Sequence, residues 1–121
     1  MNYTLGLRIY HNPKCSKSRA ALALLTEQGH VPEVIEYLKS PPSIGELTKL
    51  AGRLGGDVRA LARTGDLEWS RTGLDADTAG DEEILAAIAA HPQLLQRPVV
   101  VRGDRAVIGR PPERVLDLLD P

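Results

Sequence analysis

Leu5-Gly6-Leu7-Arg8-Ile9-Tyr10-His11-Asn12-Pro13-Lys14-Cys15-Ser16-Lys17-Ser18-Arg19 runs into an Ala- and Leu-rich segment, Ala20 to Gln28, that ends at Gly29. Bulky residues at Leu5, Leu7 and Ile9 recur with the period of two expected of a buried strand. His11-Asn12-Pro13-Lys14 stops that strand, because Pro13 has no backbone donor and Asn-Pro favours a turn. Ala20 to Gln28 consists largely of strong helix formers, and Gly29 ends the helix by accepting a left-handed backbone. A strand therefore hands over to a helix, and the cysteine stands at the junction.

The same logic extends outward. Val31 to Leu38 is expected to be a second strand, with Pro32 marking a strand start or a sheet edge. Ser43-x-x-Glu46 is a capping-box pattern, followed by Ile44, Leu47, Leu50, Ala51 and Leu54 at helical spacing and closed by Gly55-Gly56. A helical turn is expected over 58–62, and polar loop with room for one turn of helix over 64–79. Asp81 can cap a helix whose core face is Ile84, Leu85 and Ile88, with Pro92 closing it. Val99-Val100-Val101-Arg102 is a β-branched strand, Gly103-Asp104 a tight turn, and Ala106 to Gly109 the return strand. Pro111-Pro112-Glu113 opens a last helix carrying Val115, Leu116, Leu118 and Leu119. A β-α-β half, a helical stretch and a β-β-α half predict an α/β fold in one domain, 1–121. Its four-stranded mixed sheet is flanked by helices, with a helical insertion at about 43–92 between the halves.

Composition excludes several classes. Apolar residues make up 42% of the 121 and charged residues 26%, the balance of a folded globular chain. Lys and Arg total 15 against 16 Asp and Glu, so the net charge of −1 argues against a nucleic-acid binder that works by neutralising phosphates. Tyr3, Tyr10, Tyr37 and Trp69 are too few for a base-stacking platform. No apolar run approaches the roughly 20 residues of a membrane helix. The N-terminus lacks the order of a secretion signal, so a cytoplasmic location with no membrane partner is expected. Cys15 is the only cysteine and can form neither an internal disulfide nor a cysteine-based zinc site. No His, Asp and Glu set has metal spacing, and Asp75, Asp77, Asp81, Glu82 and Glu83 read as a solvated stretch. No Gly-rich phosphate loop is present either, so neither metal nor bound cofactor is expected.

The lone thiol carries the chemistry. Backbone N–H groups point out of a helix start, where the dipole is positive, and both favour thiolate over thiol. Lys14, Lys17, Arg19 and His11 add positive charge close by in sequence. The same amides suit an oxyanion, so one locus joins a nucleophile to an anion cradle. The competing role, a small core residue, fits poorly with this polar and cationic setting. Arg63, Arg97 and Arg110 each follow a feature that could bring them to a site, and arginine offers a planar fork suited to tetrahedral oxyanions. Taken singly each is more readily a surface arginine, and spacing does not say whether they converge. Arg97-Pro98 is a candidate cis bond ahead of a strand. His11 could tune the thiol or donate to an anion, whereas His30 and His91 follow helix ends and read as exposed or capping.

From Ile9 to Leu119 the sequence resembles the glutaredoxin-linked arsenate reductase family, on the thioredoxin fold with a helical insertion. The resemblance rests on Ile9 to Arg19, on Tyr37-Leu38-Lys39-Ser40-Pro41-Pro42, on Val58-Arg59-Ala60-Leu61-Ala62-Arg63, on His91-Pro92 through Arg97-Pro98-Val99-Val100-Val101, and on Gly109-Arg110-Pro111. It implies Cys15 as nucleophile and His11 as a residue that helps keep the thiol ionised. It also implies Arg63, Arg97 and Arg110 as the arginines around arsenate, and Pro98 as the cis proline. Asn12, Ser16 and Ser18, beside the cysteine, complete the expected substrate-binding set. Arsenate is then the substrate, glutathione the co-substrate and glutaredoxin the protein partner of a monomeric enzyme. Family members usually carry Gly after the cysteine and a longer tail, where this chain has Ser16 and ends at Pro121. The alternatives are an Spx-like regulator that binds RNA polymerase, or a thiol oxidoreductase with another substrate. The regulators use a Cys-x-x-Cys switch, and Ser18 stands where its second cysteine would be.

Overall fold

Leu7, Ile9 and Val100 project from one face of a sheet and meet Ala21, Leu25, Val115 and Leu118 in a cluster whose members are at most 2% exposed. Burying one such Leu, Ile or Val side chain contributes about 1.5–3 kcal/mol. Tyr10, Val99 and Val101, on the opposite face, are at most 1% exposed, so the centre of the sheet is buried on both faces. The computed structural model describes residues 3–119. Its sheet comprises β1 (Leu7–His11), β2 (Glu33–Glu36), β3 (Val99–Arg102) and β4 (Arg105–Ile108) in the order β2-β1-β3-β4. β1 runs parallel to β2 and antiparallel to β3, and β3 is antiparallel to β4. Helix α1 (Ser16–Glu27) forms the crossover between the parallel strands, as such pairs require. This is the mixed four-stranded sheet with flanking helices anticipated from the sequence.

The chain divides into two compact units, Met1–Ser40 with Arg97–Pro121, and Pro41–Gln96. The first holds the sheet and α1. The second holds α2 (Ile44–Arg53), α3 (Leu67–Arg71) and α4 (Asp81–Ala90). Within it α2 and α4 pack together, burying Leu47, Leu50 and Ala51 from one and Ile84, Leu85 and Ile88 from the other. Ser43 caps α2 as its sequence pattern predicts, its Oγ accepting from the Glu46 amide at 3.1 Å. Ala62 and Leu95 form an antiparallel bridge that ties the two ends of this unit together.

Several boundaries differ from those expected. Leu5 is 93% exposed and lies outside β1. β2 is shorter than Val31 to Leu38, because Val31 exchanges hydrogen bonds with Thr4 instead of extending the strand. β4 spans Arg105–Ile108, one residue earlier than expected at each end. Gly80, not Asp81, is the N-cap of α4, since the Glu83 side chain accepts from the Gly80 amide at 2.9 Å. The last helix is 3-10 over Pro112–Leu118, with Val115 and Leu118 buried at the spacing of three that such a helix puts on one side. Arg102 donates to the Leu118 carbonyl at 3.1 Å and so anchors its end to β3.

Two glycines are required by geometry. Gly103 turns the β3–β4 hairpin with a φ of +64°, a region L side chains rarely adopt. At Gly109 a Cβ would lie 2.8 Å from Pro98 Cγ and 3.2 Å from Val115 Cγ1, so only glycine lets the end of β4 sit against Pro98. Among the described residues no helix is long and apolar enough to cross a membrane.

Candidate active site

The Cys15 sulfur sits at the N-cap of α1, where an extended backbone (φ −94°, ψ 123°) passes into the helix. The turn before it is closed by its own polar groups. The Asn12 side-chain oxygen accepts from the Lys14 amide, the Asn12 carbonyl accepts from the Cys15 amide, and Arg19 donates to the Pro13 carbonyl at 2.9 Å. These bonds hold the half-buried thiol over the first turn of α1. Burial pushes the Cys15 thiol up. The amides of Ser18 and Lys17 and the Arg97 guanidinium outweigh that and leave it below the ordinary value of a thiol. Arg97, half-buried, is in turn held in its charged form against its own desolvation by the sulfur.

His11 and Ser18 lie behind the sulfur and are both buried. Ser18 Oγ is 2.6 Å from His11 Nδ1 and accepts from the Asn12 amide at 3.0 Å. Ser18 therefore reaches the sulfur through its amide, while its hydroxyl ties the helix to the end of β1. Burial lowers the His11 pKa, with Glu36 opposing and Arg19 assisting, which favours the neutral imidazole. His11 thus meets the first turn of α1 at the Ser18 hydroxyl. Ser16 is exposed on the first turn.

Arg110 is exposed and donates to the Arg97 carbonyl at 3.2 Å, which brings two of the three predicted arginines side by side. The intervening Arg97–Pro98 bond is cis, as is Arg110–Pro111. Arg63 belongs to the other unit. There its side chain pairs with Asp66 at 2.8 Å and its amide donates to the Leu94 carbonyl at 2.8 Å. Asp66, which the sequence did not single out, also caps α3 by accepting from the Glu68 amide. Tyr37 is a second residue missed. It is fully buried and lies among Arg97, Asn12 and Cys15. Its place depends on which strands are neighbours in the sheet, for which the sequence offers no local sign. Beside the turn, Asn12, Lys14, Glu36 and Lys39 help line an open cleft of about 190 Å³. Among the described residues no group of three or more His, Cys, Asp or Glu is placed to hold a metal ion.

A thioredoxin-like sheet with one thiol at the start of its first helix, beside an arginine from the segment leading into β3, defines a class of proteins. Comparison with known proteins narrows it: residues 10–118 match the ArsC family, and the chain belongs to that family. A Haemophilus influenzae protein named arsenate reductase is 46% identical over 116 residues, covering 95% of this chain and 100% of its own. One from Neisseria meningitidis is 44% identical over 110 residues, covering 90% and 94%. The solved structure of an arsenate reductase from Vibrio cholerae superposes with a TM-score of 0.90 at 46% identity, covering 97% of this chain and 99% of that one.

Proposed function

We propose that the chain reduces arsenate to arsenite through a covalent Cys15–arsenic adduct, with glutathione and glutaredoxin supplying the electrons. The observation that carries this is the Cys15 sulfur itself, kept ionisable by two helix-start amides and the Arg97 guanidinium. Full-length similarity to proteins named arsenate reductase supplies the substrate.

The Cys15 thiolate attacks arsenic, forming a sulfur–arsenic bond as one arsenate oxygen leaves as water. Glutathione replaces a second oxygen, also lost as water. A glutaredoxin thiolate then attacks the glutathione sulfur. The sulfur–arsenic electron pair stays on arsenic, which passes from the +5 to the +3 state, and a glutaredoxin–glutathione disulfide forms. Hydrolysis releases arsenite and restores the thiol. Arg63, Arg97 and Arg110 are the arginines that the family pattern assigns to the oxyanion. Two of the thiols come from outside, which fits a chain with one cysteine. On this account the protein works as a monomer in the cytoplasm, where both reductants are kept reduced.

The test is arsenite formation in a coupled assay containing glutathione, glutaredoxin and arsenate. Wild-type protein is expected to turn over and Cys15→Ser to be inactive. Absence of turnover by the wild type with several thiol donors rejects the proposal. Arg97→Lys loses the fork geometry at the anion and is expected to lower kcat/KM by a factor corresponding to about 1.5–3 kcal/mol.

A further inference from the structure

Tyr37 is fully buried, yet its hydroxyl has no hydrogen-bond partner in the protein. Native proteins pair nearly all such groups, because an unmet buried donor is destabilising, and an exception calls for a functional reason. Strand direction shows where this hydroxyl lies. β1 and β2 are parallel, and β1 and β3 are antiparallel. The ends of β1 and β2 and the start of β3 therefore lie at the same end of the sheet, where α1 begins. Asn12 follows β1, Tyr37 follows β2 and Arg97 precedes β3, so the three residues gather there. The Arg97 guanidinium, the Asn12 side chain and Cys15 all lie close enough to act on the hydroxyl, yet none completes a hydrogen bond with it. Burial raises its pKa above that of an ordinary tyrosine, so it is a donor at any pH near neutrality.

We propose that Tyr37 touches the substrate: its hydroxyl donates a hydrogen bond to an oxygen of the oxyanion bound at Cys15, beside the Arg97 guanidinium. This rests on the assignment of arsenate to that sulfur. Tyr37 joins the arginines as a neutral donor to the anion. It does so at a cost in stability of the kind that binding sites carry.

The experiment is protection of Cys15 from iodoacetamide by increasing arsenate, in wild type and in Tyr37→Phe, with the pH dependence of alkylation and Tm measured for both without arsenate. Tyr37→Phe removes one oxygen and conserves the packing. The expected result is protection of the wild type, a need for about tenfold more arsenate in Tyr37→Phe, an unchanged alkylation midpoint, and a Tm equal to or above wild type. Equal protection of both proteins overturns the role of Tyr37 and leaves arsenate binding intact. A midpoint shifted upward in Tyr37→Phe also overturns it, because the tyrosine would then act on the sulfur through Arg97. Failure of arsenate to protect even the wild type removes the arsenate assignment and this inference together.

Discussion

A sulfur stays anionic only when the field of its neighbours outweighs the water it has lost, and at Cys15 that field comes from two amides and one guanidinium. The nearby histidine contributes differently from what its charge would suggest. Burial lowers the His11 pKa, so the unfolded chain takes up a proton at this imidazole more readily than the folded chain does. The stability that follows is present above the ordinary value of 6.5 and is lost as pH falls through 6.5 toward the folded value. Urea unfolding between pH 7.5 and 5 should show stability falling with acidity, and His11→Gln should flatten that dependence. Ser18→Ala leaves His11 Nδ1 and the Asn12 amide without their shared oxygen. Urea unfolding is expected to show a loss of about 1–3 kcal/mol, while the residue-18 amide still serves the sulfur. The sequence placed Cys15 at a helix start because strand, turn and helix signals adjoin there. It could not show that the Ser18 hydroxyl turns inward, since its partner lies seven residues back on a different element.

At the scale of elements, the Pro98–Gly109 contact links β3, β4 and the last 3-10 helix to the position of Arg97. Gly109→Ala puts a methyl 2.8 Å from the Pro98 ring. It is expected to cost about 1–3 kcal/mol in urea unfolding and to lower Cys15 reactivity by displacing Arg97. A control in the other unit is Ser43→Ala, which removes the cap of α2 and should cost about 1 kcal/mol with no change at Cys15. Where periodicity was strong the elements were legible: the β3 valines, the Ala/Leu run of α1 and the capped face of α2 all formed as their patterns require. Where tertiary bonds compete, local signals failed. Thr4 holds Val31 out of β2, Glu83 moves the cap of α4 from Asp81 to Gly80, and the paired prolines before Glu113 lead into 3-10 helix.

Over the whole molecule, Cys15 and Arg97 meet because β1 and β3 are antiparallel neighbours in the sheet, which sets the end of one beside the start of the other. Residues 82 positions apart in sequence thus share one site, and no local pattern reveals that distance. Composition had narrowed the chain to a non-basic protein with one thiol, and the five sequence blocks pointed to the family. Tyr37 stands in one of those blocks, but its nearness to Cys15 stayed hidden, because only the strand order brings the end of β2 beside the end of β1 and the start of β3. The account depends on the sulfur being ionised by this assembly, and the pH dependence of Cys15 alkylation measures that directly. Wild-type protein should show a midpoint below that of an ordinary cysteine, and Arg97→Gln should raise it. A wild-type midpoint at or above the ordinary value, unmoved by Arg97→Gln, would contradict the account.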